Sequence, residues 1–238
     1  PFIDIEKLEQ YLIKNTKKIN GICVNIKTKR KIHSLITTHI FGHIDEIYRL
    51  KTLAKKFNLK LVEDASEALG SFFNNQHAGS FGDIGIISFN GNKIITTGGG
   101  GAAVTNSSKL SNKIKELTTI CRKKNSIEYD YSDLGYNYKM PSINAALGLE
   151  QMKKLNFFLK TKKNIFKKYS EISKNFDDFD LIKEPKNCRS NYWLQGIVLK
   201  KNSLNYRNQL IKFMNKNGIK SRPVWRLMSK IKYLKKYD

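Results

Sequence analysis

Apolar residues recur with two periods in the first part of the chain, and together they predict a strand-helix-strand unit. A strand-like run covers residues 36–41 and ends at Gly42. Asp45 is then a suitable N-cap for a helix whose apolar stripe runs from Ile47 to Phe57. A second apolar run, residues 59–62, predicts a buried strand. A single helix connecting two buried strands favours a parallel sheet.

Shorter patterns extend this unit on both sides. Residues 5–12 have the spacing of an amphipathic helix, and residues 84–89 and 102–105 predict two more strands of the same sheet. A long amphipathic helix begins at Ser142 and continues, with breaks, to Tyr169.

The last third of the chain predicts a small α+β unit. Its pattern indicates a strand over residues 192–199, a helix over 204–217 and a strand over 218–224, with Pro223 near the end. We therefore expect a large sheet domain in residues 1–150 and a small domain in residues 151–238.

Length and composition are typical of a soluble globular protein. The 238 residues are 40% hydrophobic and 11% aromatic, and no apolar run approaches the length that crosses a bilayer. The chain begins with Pro1 and lacks the pattern of a secretory signal, so we expect a processed or partial chain. Three cysteines without a CxxC pair predict reduced, buried thiols and a cytoplasmic location.

The net charge of +24 raises the alternative of a basic nucleic-acid-binding module. Only seven of the 44 basic residues are Arg, however, and the lysines are scattered along the whole chain. Since Arg is the residue that contacts phosphates and bases bidentately, a general enrichment in Lys, Asn and Ile explains the charge without a nucleic acid. Tight, salt-sensitive DNA binding would support the alternative.

Two segments place polar groups directly after predicted strands. Asp64 follows the first, and Ser88 and Lys93 follow the second. Open parallel sheets bind their ligands at this edge, so the three side chains should face one crevice. Taken singly, Asp64 is an ordinary loop or capping residue and Lys93 an ordinary surface lysine. Together they supply what pyridoxal phosphate (PLP) requires: an amine for its aldehyde, a carboxylate for its ring nitrogen and a donor for its phosphate.

Other ligand-binding motifs do not fit. A P-loop is excluded because Asn92 separates Gly91 from Lys93 and Ile94 replaces the hydroxyl residue. The glycine run at residues 98–101 precedes a strand rather than a helix, which argues against a dinucleotide site. The four histidines have no metal-ligand spacing, and no metal is expected.

Several longer blocks resemble the DegT/DnrJ/EryC1/StrS family of PLP-dependent sugar aminotransferases. They are LVEDASEALGS (residues 61–71), HAGSFGDIGIISFNGNKIITTGGGGAAVTN (77–106), GYNYKMPSINAALGLEQM (135–152), NYWLQGIVL (191–199) and GIKSRPVWRLM (218–228). The resemblance implies the α/β aspartate-aminotransferase (type I) fold, here an incomplete large domain with a mainly parallel sheet plus a small α+β C-terminal domain. The blocks are most similar to aminotransferases acting on UDP-linked 4-keto-6-deoxy sugars of legionaminic-acid-type biosynthesis, with GDP-perosamine synthases next.

The same resemblance implies roles for individual residues. Lys93 matches the lysine that forms the Schiff base with PLP, and Asp64 matches the aspartate that pairs with the ring nitrogen. Ser88 matches a hydroxyl that binds the cofactor phosphate. Asn137 matches a residue that reaches this phosphate from a neighbouring subunit, which implies a homodimer with shared active sites. Glu67 occupies a position beside the cofactor ring.

The implied reaction transfers an amino group from glutamate to the C4 ketone of a nucleotide-linked sugar, with Lys93 as general base. Arg222 and Trp225 could contact the nucleotide sugar. The blocks match the middle and later parts of the family's chain, and nothing before Thr38 resembles the family's upstream phosphate loop. A truncated, non-catalytic remnant or interaction subunit is therefore the alternative hypothesis.

Overall fold

A computed structural model describes residues 2–44, 46–123 and 127–237. These residues form six α-helices and twelve strands. The helices are α1 (Ile5–Asn15), α2 (Ile47–Lys56), α3 (Ser108–Thr118), α4 (Ser142–Lys153), α5 (Leu155–Ser173) and α6 (Leu204–Lys216). The strands are β1 (Thr16–Ile19), β2 (Ile22–Asn25), β3 (Lys31–Ile32), β4 (Ser34–Thr38), β5 (Lys60–Asp64), β6 (Phe72–Phe73), β7 (Gln76–His77), β8 (Ile84–Ser88), β9 (Gly101–Val104), β10 (Phe179–Leu181), β11 (Cys188–Arg189) and β12 (Ile197–Leu199).

The central sheet has four strands in the order β4-β5-β8-β9. β5 is parallel to both β4 and β8, whereas β9 is an antiparallel edge strand. Because α2 connects β4 to β5, the predicted strand-helix-strand unit is confirmed. Thr38, Asp64 and Ile86 are register partners, so the three parallel strands end at the same edge of the sheet. The fold is α/β, as predicted.

The main hydrophobic core lies between this sheet and helices α1 and α2. Ile5 and Leu12 of α1 and Leu50 and Leu53 of α2 are each no more than 4% exposed, at spacings that place them on one face of each helix. Burial of each such side chain contributes about 1.5–3 kcal/mol. Asp4 caps α1 by accepting a hydrogen bond from the Lys7 amide at 3.0 Å.

Helix α2 begins immediately after Glu46, whose backbone has a φ of 43°. The predicted N-cap, Asp45, lies outside the described residues. The predicted apolar stripe between Ile47 and Ala54 is buried, and the stripe residue Phe57 follows the helix end half-buried.

Of the two strands predicted in the last third, one is shorter than predicted and the other is not formed. Of residues 192–199, only Ile197–Leu199 form a strand. Tyr192 has a φ of 48°, and the Trp193 amide donates a hydrogen bond to the side chain of Asn191 rather than to a neighbouring strand. Residues 218–224 form no strand in the described structure. The Asn215 side chain bonds both the amide and the carbonyl of Ser221 instead of leaving them for a sheet.

The strand predicted over residues 36–41 is also shorter than expected. β4 ends at Thr38, and Ile40–Gly42 form a 3-10 turn in which Phe41 has a φ of 58°. The long helix predicted from Ser142 is two helices, α4 and α5, that meet at Lys154. The predicted helix over residues 204–217 is confirmed as α6.

One strand of the later part of the chain pairs with a strand of the earlier part. β11 pairs antiparallel with β6, which forms a three-stranded sheet in the order β11-β6-β7, while β10 and β12 form a separate antiparallel pair. The division into residues 1–150 and 151–238 stays a prediction. None of the helices in the described ranges has both the length and the apolar character of a membrane span.

Candidate active site

Lys93 lies on a tight loop that leaves the carboxyl end of β8. The Asn90 amide donates to Ser88 Oγ at 3.3 Å, and the Lys93 amide donates to the Asn90 carbonyl at 3.0 Å. Ile94 and Ile95 follow directly and are 9% and 1% exposed. Because these two side chains anchor the loop in a hydrophobic cluster, Lys93 is held at a fixed position beside the sheet edge.

The amine of Lys93 faces Glu67. Lys93 Nζ lies 3.9 Å from Glu67 Oε1, and each side chain is 14% exposed. The other carboxylate oxygen of Glu67 accepts a hydrogen bond from the Phe41 amide at 2.8 Å. Burial raises the pKa of Glu67, against the opposing effects of the Phe41 hydrogen bond and the Lys93 charge, and the nearby charge of Asp64 raises it further.

Asp64 is the last residue of β5 and lies at the same edge. One of its carboxylate oxygens accepts a hydrogen bond from the Ser66 amide at 3.1 Å, which closes a local turn at the strand end. Its backbone carbonyl accepts the His39 amide at 3.0 Å. The structure therefore brings two carboxylates, Asp64 and Glu67, and one amine together where the parallel strands end.

A tryptophan that we did not predict as a site residue lies against Lys93. Trp193 is 3% exposed, and the centroid of its ring is 4.2 Å from Lys93 Nζ. Its indole N–H donates to the Asn92 carbonyl at 2.7 Å. The ring of Trp225 is parallel to that of Trp193 within 2°, with 6.3 Å between centroids, and also contacts Phe41.

A buried polar cluster positions the backbone around Glu67. The side-chain amide of Asn191 donates to the carbonyls of Glu67 and Leu69 at 2.7 and 2.9 Å. Ser71 Oγ donates to the Gly42 carbonyl at 2.6 Å and accepts from the backbone amide of Asn191 at 2.9 Å. A β-carbon on Gly42 would lie 1.8 Å from Asn191 Oδ1, so only glycine fits against this cluster.

Glu63 is a second buried carboxylate that sequence reasoning missed. It is fully buried and accepts hydrogen bonds from the amides of Gly79, Phe81 and Gly82 at 2.8, 2.6 and 2.6 Å. His39 Nε2 lies 2.8 Å from the same carboxylate. Burial acts to raise the pKa of Glu63, but the hydrogen bonds from His39 and Gly82 outweigh it and hold the pKa below its usual value. The sequence feature that indicates this carboxylate is an acidic residue at a position that alternation places on the buried face of β5.

The remaining predicted residues have contacts of their own, and Ser88 lies at the same sheet edge as Asp64. Ser88 is at the end of β8, with its hydroxyl engaged by the Asn90 amide. Asn137 is exposed and bridges to Thr119. Arg222 is exposed, and Trp225 is 56% exposed although its ring contacts Trp193. In the part of the chain that the structure describes, no group of three or more His, Cys, Asp or Glu side chains could hold a metal ion.

Residues 2–238 match the DegT/DnrJ/EryC1/StrS aminotransferase family. The chain belongs to this family. A GDP-perosamine synthase of Vibrio cholerae is 33% identical over 204 residues, which are 84% of this chain and 54% of that protein. A UDP-4-amino-4,6-dideoxy-N-acetyl-beta-L-altrosamine transaminase of Campylobacter jejuni is 34% identical over 198 residues, 83% of this chain and 49% of that protein. The chain thus spans about half the length of these relatives.

Solved structures of other proteins have the same fold. PseC of Helicobacter pylori, an aminotransferase involved in the biosynthesis of pseudoaminic acid, has a TM-score of 0.80 at 27% identity over 86% of this chain and 55% of that chain. The Escherichia coli GDP-4-keto-6-deoxy-D-mannose-3-dehydratase with bound hydrated PLP has a TM-score of 0.77 at 22% identity, over 94% of this chain and 57% of that chain. At that identity the second similarity concerns the fold alone.

Proposed function

We propose that the protein containing this chain is a PLP-dependent sugar aminotransferase. It would transfer an amino group from glutamate to the C4 ketone of a nucleotide-linked 4-keto-6-deoxy sugar, as a cytoplasmic homodimer. The observation that carries this proposal is the position of Lys93, whose amine lies 3.9 Å from Glu67 at the sheet edge where Asp64 ends β5. Family membership supplies the reaction class.

The donor set at this edge fits PLP. Lys93 offers a largely buried amine for the aldehyde, and Asp64 offers a carboxylate for the ring nitrogen. Ser88, at the end of the neighbouring strand, offers a hydroxyl for the phosphate. In the homodimer, Asn137 would come from the partner subunit, which agrees with its exposed position in a single chain.

Each residue then has a defined task. PLP, when bound, supplies a ring that withdraws electrons from the carbon bearing the transferred nitrogen. Lys93 would hold the cofactor through Nζ and would move a proton with the same atom. Asp64 would keep the ring nitrogen protonated through its negative charge. Glu67, fixed by the Phe41 amide, lies beside the amine and orients it.

The aromatic surface beside Lys93 supports the assignment of a nucleotide-linked substrate. Trp225 presents a half-exposed ring next to the buried Trp193, and Arg222 lies three positions earlier on the surface. A flat aromatic face and a guanidinium suit a sugar or base ring and a phosphate. The two relatives carry GDP and UDP in their names, so both nucleotides belong in the substrate test.

The test uses the complete protein with PLP and glutamate. UDP- and GDP-linked 4-keto-6-deoxy sugars are supplied in turn, and 2-oxoglutarate formation is measured. Borohydride reduction followed by peptide mapping should place the cofactor on Lys93, and Lys93→Arg should abolish both the label and turnover. Lys60→Arg, an exposed lysine on β5, is the matched control. A label on a different lysine would overturn the assignment.

A second variant tests the role of Asp64. Asp64→Ala should lower transamination by about 100-fold or more, because the ring nitrogen loses the charge that keeps it protonated. The cofactor should still attach to Lys93 in this variant. Turnover close to wild type would rule out the assigned role.

A further inference from the structure

Trp193 contacts both the side chain of Lys93 and the backbone that carries it. The indole N–H donates to the carbonyl of Asn92, the residue before Lys93, at 2.7 Å. The indole ring lies 4.2 Å from Lys93 Nζ. We propose that Trp193 is a positioning residue that holds the Lys93 amine in place for the cofactor. The cofactor part of this inference rests on the proposed function, whereas the contact itself does not.

The two contacts fix different degrees of freedom. Lysine has a flexible four-carbon stem, so a fixed backbone alone leaves its amine with many positions. The hydrogen bond at Asn92 fixes the backbone immediately before Lys93. The electron-rich ring face attracts the ammonium group and defines the direction of the stem. Glu67, at 3.9 Å, attracts the same group electrostatically.

Trp193 is itself held by contacts on its backbone. Its amide donates to Asn191 Oδ1 at 2.9 Å, and its carbonyl accepts from Lys162 Nζ at 2.9 Å. Asn191 also bonds the carbonyl of Glu67. The same short segment therefore positions Trp193 and the backbone of Glu67, the two residues whose side chains face the Lys93 amine.

A merely packed tryptophan would also be buried, so the test must separate positioning from stability. Trp193→Phe keeps an aromatic face but loses the N–H donor, and Trp193→Leu loses both. Phe158→Leu is the matched control, because Phe158 packs against the same hydrophobic cluster and its described ring contact is with Phe157. Thermal unfolding establishes that each variant is folded before comparison.

The first measurement needs no cofactor. Lysines of the complete protein are labelled with ¹³C at Cε, and the Lys93 resonance is assigned by its loss in Lys93→Arg. Ring currents from Trp193 should shift this resonance upfield in the wild type and in Phe158→Leu. The shift should disappear in Trp193→Leu and decrease in Trp193→Phe. An unshifted Lys93 resonance in the wild type, or the same shift in Trp193→Leu, would overturn the proposal.

The second measurement is the rate at which added PLP becomes reducible onto Lys93 by borohydride. Loss of positioning should slow attachment by about tenfold or more in Trp193→Leu, with a smaller effect in Trp193→Phe and none in Phe158→Leu. Equal rates in the wild type and Trp193→Leu would contradict a positioning role. If Lys93 of the wild type takes up no PLP while its resonance remains shifted, the proposed function fails and the contact stands.

Discussion

Glu67 Oε1 lies 3.9 Å from the amine of Lys93, while its other carboxylate oxygen accepts a hydrogen bond from the Phe41 amide. This distance is too long for a hydrogen bond but short enough for a strong electrostatic interaction. The carboxylate therefore lies near the amine without a hydrogen bond to it. Its burial disfavours its charged form.

Glu67→Gln should separate the effect of the Phe41 hydrogen bond from the effect of the buried charge. Glutamine can still accept the Phe41 hydrogen bond but carries no charge. Because burial raises the pKa of Glu67, the folded protein binds its proton more tightly than the unfolded chain, and stability falls as pH rises from 4.5 through the raised pKa. The variant should lose this part of the pH dependence and be more stable than the wild type at neutral pH, because it carries no charge for burial to disfavour. Urea unfolding from pH 4.5 to 8 measures it, and a variant that is less stable at neutral pH would contradict the argument.

Glu63→Gln should be strongly destabilising. Three backbone amides and His39 point at this carboxylate, and an amide group cannot accept all of these hydrogen bonds. We expect a loss of about 2–4 kcal/mol. Since the pKa of Glu63 is lowered in the folded protein, its stabilising contribution is present above 4.5 and is lost as pH falls through the lowered pKa.

Glu150→Gln is the control for Glu63, since Glu150 forms an exposed pair with Lys153 on α4. Such a pair contributes at most about 1 kcal/mol. Denaturant unfolding of the two variants at pH 7 gives the comparison. Equal effects would show that the buried hydrogen bonds of Glu63 add nothing to stability.

Gly42→Ala should also be destabilising, by about 2–3 kcal/mol. Its φ is +87°, and the added methyl group would overlap Asn191 Oδ1. Gly99→Ala is the control, because no atom lies within 4 Å of the added carbon and its φ is not in the left-handed region. The midpoints of thermal unfolding compare the two variants. Similar midpoints would mean that the Asn191 side chain can move away from the added methyl group without a loss of stability.

His43 should make the protein sensitive to mild acid. It is 1% exposed, and burial lowers its pKa from 6.5 to about 4. Between these values the unfolded chain binds a proton that the folded protein does not, so stability falls as pH decreases through this window, by up to about 3 kcal/mol. His43→Phe should flatten the pH dependence in this window. His33→Phe, at an exposed position, is the control, and identical curves for His43→Phe and wild type would refute the prediction.

The sequence was most informative where a local pattern determines the element. Alternation and helical spacing predicted β5 and α2, because each buries one face against the same core. The strand predicted over residues 218–224 failed because extended residues need a pairing partner, and Asn215 satisfies Ser221 instead. The lysine-rich strand β1 was missed since its residues are mostly exposed and show no alternation.

The candidate site was predictable only in part. The ends of β5 and β8 indicated Asp64 and Lys93, because parallel strands end at one edge. The contact between Trp193 and the Lys93 loop joins residues about a hundred positions apart, and no local pattern encodes it. Glu63 was overlooked because its four partners come from two separate loops.

The separation of 101 residues between Asn92 and Trp193 also has a consequence during synthesis. At about 5–20 residues per second, the ribosome adds Trp193 about 5–20 seconds after Asn92. During that interval the loop lacks the indole that later fixes it. Lys93 can therefore reach its position against Trp193 only after the later segment has emerged and docked, which places the formation of this contact after the synthesis of that segment.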